Sequence, residues 1–173
     1  MKSLKPIVIV IGIISSIITL FIIVAKQENM VTLKKGNISH QPIDIIPNHY
    51  QDSQCGMVID TIKYASEVIS PDGRTWFFHD HGGMIKWIEK RDFREKATIW
   101  VHAIDTDRWI DAKKAHYTRD EDTPMRYGFG AYEKREEGTI SFNEMRLLTL
   151  RGETMVNPII RRELLKKRED GSY

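Results

Sequence analysis

The sequence predicts an α+β protein: an N-terminal transmembrane helix followed by two small ββαβ units. Three observations predict it. Residues 7–24, "IVIVIGIISSIITLFIIV", carry no charge. From about Tyr50, short β-prone runs and one helical-period stretch follow in the order strand, strand, helix, strand. After residue 105 a similar order of elements recurs, without a residue-by-residue repeat.

The apolar run comes first. As a helix it spans about 27 Å at roughly 1.5 Å per residue, close to a hydrocarbon core of about 30 Å. A cleaved leader has an apolar core of only about 7–15 residues and then small residues, whereas "AKQEN" follows here. The run therefore reads as an uncleaved anchor, residues 1–26, crossing the membrane through residues 7–24. Lys2 and Lys5 place its N-terminus in the cytoplasm, against a weaker pull from Lys26. This makes a single-pass protein of the inner (cytoplasmic) membrane, with its remaining domain in the periplasm or outside the cell. Setting those three lysines aside, acidic and basic residues nearly balance. A nucleic-acid-binding domain carries a clear positive excess, so nucleic acid is excluded as a partner.

Residues 27–49 contain Pro42 and Pro47 and no sustained period, and read as a tether. The folded domain spans 50–158, in halves of about 50–105 and 106–158. In the first half, "YASEVIS" and "RTWFFHD" are strands joined by the Pro71-Asp72-Gly73 turn. Asp80 is placed to cap a helix in which Met84, Trp87 and Ile88 share a face. "ATIWVHAI" alternates as a strand. In the second half, "KAHYTRD" and "YGFGAYE" are short strands, and Ser141 to Glu144 forms a capping box opening a helix that ends at Gly152. "TMVN" is the last strand. Residues 159–173 form a basic C-terminal helix or tail, read as solvated or docked rather than as a binding element.

The chemistry centres on "SQCGM". Cys55 is the only cysteine. In an oxidising compartment cysteines are usually paired, so a lone one is buried and inert, linked to another chain, reactive, or metal-bound. Met57 stands two residues on, and a bend at Gly56 brings the two sulfurs within reach of one ion. Thiolate and thioether together suit monovalent copper, while one cysteine is too few for structural zinc. "FFHDHGGM" adds His79, His81 and Met84. Neutral imidazoles bind transition metals, although the same residues also suit a strand end, a helix start and a core position. Met125, beside Pro124 in a polar loop, is a further thioether. Cys55 with a histidine and an acidic residue also fits a thiol-dependent enzyme with Cys55 as nucleophile. No phosphate-cradling or dinucleotide motif is present.

The segments "CGMVID", "YASEVISPDGRTWFFHDHGGMIKWI", "WVHAIDTDRWIDAKKAHYT" and "TPMRYGFGAYEKREEG" together resemble the NosL family, accessory proteins of nitrous oxide reductase. The resemblance covers about residues 50–150. It implies a fold of two linked ββαβ units and a membrane-attached, extracytoplasmic Cu(I)-binding chaperone without catalytic turnover. Its partner would be a copper-accepting protein, such as nitrous oxide reductase or its transporter complex, in denitrification. By correspondence Cys55, Met57 and Met125 are the metal ligands, with His79, His81 and Met84 as further candidates. The departures are specific. An apolar run replaces the lipid-attached cysteine of many members. Asp52 stands where some members have a second cysteine. His79-Asp80-His81-Gly82-Gly83-Met84 replaces a motif with a thiol at position 83. A non-catalytic membrane-complex adaptor is the remaining alternative.

Overall fold

The computed structural model describes residues 5–24 and 30–171, with side chains of the first helix described over residues 8–21. The elements are α1 (Lys5–Val24), β1 (Leu33–Lys34), β2 (Ser66–Ile69), β3 (Thr75–Phe78), α2 (His81–Ile88), β4 (Thr98–Ala103), β5 (Arg108–Asp111), β6 (His116–Tyr117), β7 (Ala131–Tyr132), α3 (Phe142–Arg151) and α4 (Pro158–Asp170). A 3-10 turn, Arg94–Lys96, precedes β4.

The α+β class stands, but two parts of the expected architecture are corrected. Among the described residues no helix is long and apolar enough to cross a membrane. The apolar run does form the helix α1, and the expectation that it crosses a membrane is withdrawn. Of the lysines in the orientation argument, Lys2 and the opposing Lys26 lie outside the described residues, and Lys5 begins α1. The second correction concerns the repeat. Instead of two ββαβ units, there is one five-stranded antiparallel sheet, ordered β1-β3-β2-β4-β5, and a separate pair, β6-β7. "RWID" supplies β5, which pairs with β4 rather than opening a second sheet. "TMVN" forms no strand. Asn157 instead caps α4, its side chain accepting from Ile159 N–H, and Pro158 takes the first helical turn, where a missing N–H costs nothing.

The first half follows its sequence closely. The turn at residues 71–73 closes with Ser70 N–H donating to Arg74 C=O, and Gly73 adopts φ 77°, a left-handed conformation that glycine takes without strain. Ser66 faces Phe78 on one neighbour and Val101 on the other. Period-2 alternation then sends Ser66, Val68, Phe78, Ile99 and Val101 to one face and Glu67, Ile69 and Phe77 to the other. The first face packs against Ile85, Trp87 and Ile88 of α2 and Phe142 and Met145 of α3. A bidentate ion pair from Arg146 to Glu89, at 2.6 and 2.8 Å, ties these two helices together. The expected capping box of α3 is present, and Gly152 ends that helix at φ 74°.

The second face has its own core of Ile45, Tyr50, Ile59, Ala65 and Phe77, with Val31 and Ile43 packed beside it. The stretch expected as a tether thus supplies β1 and lies over the sheet. Beneath it, fully buried Glu67 accepts Ile43 N–H at 3.0 and 3.1 Å. Burial pushes the Glu67 carboxyl up to about 8, against the pull of that N–H and of Lys34. The folded chain therefore keeps a proton that the unfolded chain releases near 4.5. This contribution to stability is fully present below about pH 4.5 and is lost as pH rises toward 8, at about 1.4 kcal/mol per unit. Urea unfolding across that range should show a falling limb in wild type that Glu67→Gln flattens. Parallel profiles for the two proteins would refute the assignment.

Candidate metal centre

Two local structures build the site. The first is the loop from Asp52 to Met57. Asp52 N–H donates to Met57 C=O at 2.8 Å, and Gly56 N–H donates to Asp52 C=O at 2.9 Å. Gly56 turns the chain at φ 75°. An isolated bridge between Gln51 and Val58 closes the loop's base. Within it, Asp52 Oδ1 accepts the N–H groups of Gln54 at 2.7 Å and Cys55 at 3.0 Å. This is the turn geometry that an aspartate side chain imposes on the residues just after it.

The second is the exit of β3. His79 follows Phe78, and its backbone N–H donates to Asp52 Oδ2 at 3.0 Å. Its ring Nδ1 lies 2.6 Å from the same oxygen. Burial alone would raise the Asp52 carboxyl, but the hydrogen bonds from His79, Cys55 and Gln54 outweigh it and hold the group below the usual carboxylate value. An ionised carboxylate only accepts hydrogen bonds, so Nδ1 carries a proton, and in the neutral ring Nε2 presents its lone pair. That Nε2 is buried and has no hydrogen-bond partner.

Asp52, Cys55 and His79 each offer one ligand atom, and these atoms lie within 4.8 Å of one another. Four N–H groups already occupy the Asp52 carboxylate, about its full acceptor capacity. It therefore orients the site, and Cys55 Sγ and His79 Nε2 remain as the free donors. Cys55 is exposed at the loop tip. Partial burial pushes its thiol up, the Met57 backbone offsets part of this, and the Asp52 carboxylate adds to it.

The expected ligands divide between this place and the interior. Met57 is 52% exposed and lines a surface cleft with His79, Thr123 and Pro124. Met125 reaches the start of α2: a Cβ added to Gly83 would sit 3.4 Å from Met125 Sδ and 3.4 Å from Gln54 Oε1. Gln54 is the residue before Cys55, so position 83, the Met125 thioether and the cysteine loop adjoin one another. Met84 is instead fully buried in the helix-side core. His81 is fully buried with its ring edge-on to Tyr117, centroids 5.9 Å apart. Burial first, and His102 second, push His81 down to about 3. Neither joins the Cys55 group.

Asp52 is the participant that residue-by-residue reading missed as a contributor. The spacing Asp-x-x-Cys was the available signal, because an Asp turn presents the third residue's N–H to its own carboxylate. No protein-family model matches the chain, and no curated protein matches it.

Proposed function

We propose that this protein binds Cu(I) and hands it to a copper-accepting protein, in the manner expected of a NosL-type chaperone. The reading is carried by one observation: His79 Nε2 is buried and unpartnered, its Nδ1 is held by Asp52, and the His79 ring belongs to one group with the only thiol. A carboxylate–histidine pair of this kind orients metal-ligating imidazoles. One thiolate and one imidazole are too few for a closed zinc site. With a thioether from Met57 or Met125 they make a low-coordinate set that suits soft Cu(I). Exposure of Cys55 supports transfer, since an acceptor must reach the metal to exchange ligands. The acceptor expected from the resemblance is nitrous oxide reductase or its transporter complex.

A thiol-dependent enzyme needs a base bonded to its sulfur. His79 Nε2 has no such bond, and the Cys55 thiol is shifted up rather than down, so the binding reading is favoured. Anaerobic titration with a chromophoric Cu(I) chelator tests it. Wild type should take one Cu(I) per chain, and X-ray absorption should give a mixed sulfur and nitrogen shell. His79→Gln should bind more weakly and lose the nitrogen scatterer. Absence of saturable Cu(I) binding would overturn the proposal.

A further inference from the structure

Asp80 is fully buried, and its two oxygens serve two separate parts of the chain. Oδ1 accepts Gly82 N–H at 3.0 Å and caps α2. Oδ2 accepts Met125 N–H at 3.0 Å across 45 residues of sequence. Burial raises the Asp80 carboxyl, and the Thr123 side chain and the N–H groups of Met125 and Gly82 pull it back toward the ionised form. Capping alone needs a single acceptor, and Ser or Asn supplies it equally well. The second oxygen is therefore spent on the loop that carries Met125. That loop is seated closely: a Cβ on Gly82 would fall 2.1 Å from the Tyr127 ring, so only glycine admits it. The next residue in α2, Gly83, leaves an open position faced by Met125 Sδ and Gln54. Arg126 takes φ 61° directly after Met125, a conformation that non-glycine residues seldom adopt, so the chain turns sharply there.

We infer that Asp80 is a positioning residue for copper binding, holding the Met125 thioether beside the Cys55 loop so that it closes the coordination of a metal on Cys55 and His79. The inference rests on the Cu(I) reading above. Asp80 itself touches no metal in this arrangement, since both of its oxygens are engaged. Its effect should therefore pass entirely through Met125.

Asp80→Asn separates the two duties. The amide oxygen keeps the cap to Gly82 N–H, while the NH2 group faces the Met125 N–H as donor against donor. The experiment is a double-mutant cycle of wild type, Asp80→Asn, Met125→Leu and the double variant. Cu(I) affinity is read by anaerobic chelator competition. Each single change should weaken binding by about tenfold, the scale of coupling within one bonded network. The double variant should be no weaker than Met125→Leu alone, and X-ray absorption of Asp80→Asn should lose one sulfur scatterer. Additive losses would overturn the inference, as would a fall in thermal stability with affinity unchanged. If Asp80→Asn fails to fold, Asp80→Ser keeps the cap through its hydroxyl and enters the same cycle. A wild type that binds no Cu(I) would overturn both readings. A wild type that binds, with an additive cycle, overturns only the role of Asp80.

Discussion

Cys55→Ser should lose Cu(I) affinity by several orders of magnitude while leaving the fold intact. Serine is nearly isosteric, but its hydroxyl is a hard, neutral donor that monovalent copper does not favour. The residue's structural contribution is its backbone N–H, which donates to Asp52 Oδ1 and survives the change. Its side chain is exposed, so stability should stay within about 0.5 kcal/mol of wild type. Chelator competition reads the first quantity and thermal unfolding the second. An unchanged copper affinity would remove Cys55 from the site. A large loss of stability would show that the thiol packs a core rather than faces a metal.

Asp52→Asn should have the second-largest effect, through a proton rather than through a ligand. In wild type the ionised carboxylate draws the ring proton onto His79 Nδ1 at 2.6 Å. With the amide NH2 facing Nδ1, that nitrogen must accept, so the proton moves to Nε2 and occupies the metal-binding lone pair. Copper affinity should fall by about 10–100-fold, the range for losing an orienting partner of a metal-bound histidine. The buried His79 backbone N–H loses its acceptor as well, which should cost about 1–3 kcal/mol of stability. Imidazole nitrogen NMR distinguishes the two tautomers directly. If the variant keeps its proton on Nδ1 and binds copper normally, Asp52 does not orient the site.

Parts of this arrangement were legible because they are local. The turn at residues 71–73, the Asp80 cap and the Ser141 capping box each depend on a few adjacent residues whose side chains reach their own backbone. The period of Met84, Trp87 and Ile88 fixed a helix because three apolar side chains need one face. The two-residue strand β1 carries too few residues for alternation to register, and β5 begins and ends on charged residues, Arg108 and Asp111, that hide it; both pair with edges that β3 and β4 offer. "TMVN" has strand-like composition but no partner edge, and the demands of the α4 cap prevailed there.

In the site, Cys55 and Met57 were visible as an unusual pair of sulfurs, and His79 as an imidazole at a strand end. Asp52 was visible only as the place of a missing second thiol. Its role depends on contact with His79, 27 residues away, which no local pattern encodes. His81 looked equivalent to His79 because the two share one side if the strand continues. The strand stops at Phe78, and the helix start turns His81 inward against Tyr117.

The lead-in over the second sheet face sets where the folded unit can be cut. By sequence the domain begins at Tyr50, but β1 is the outer neighbour of β3. A chain trimmed to start at residue 50 would present β3 as a bare edge, with its N–H and C=O groups open to pairing with another molecule. It would also uncover Phe77 and strip Glu67 of the Ile43 N–H that it accepts. Such a fragment would keep every candidate metal ligand and still be prone to edge-to-edge aggregation. The smallest well-behaved unit therefore starts before Val31, whose N–H donates to His49 C=O at 2.9 Å at the beginning of this cover.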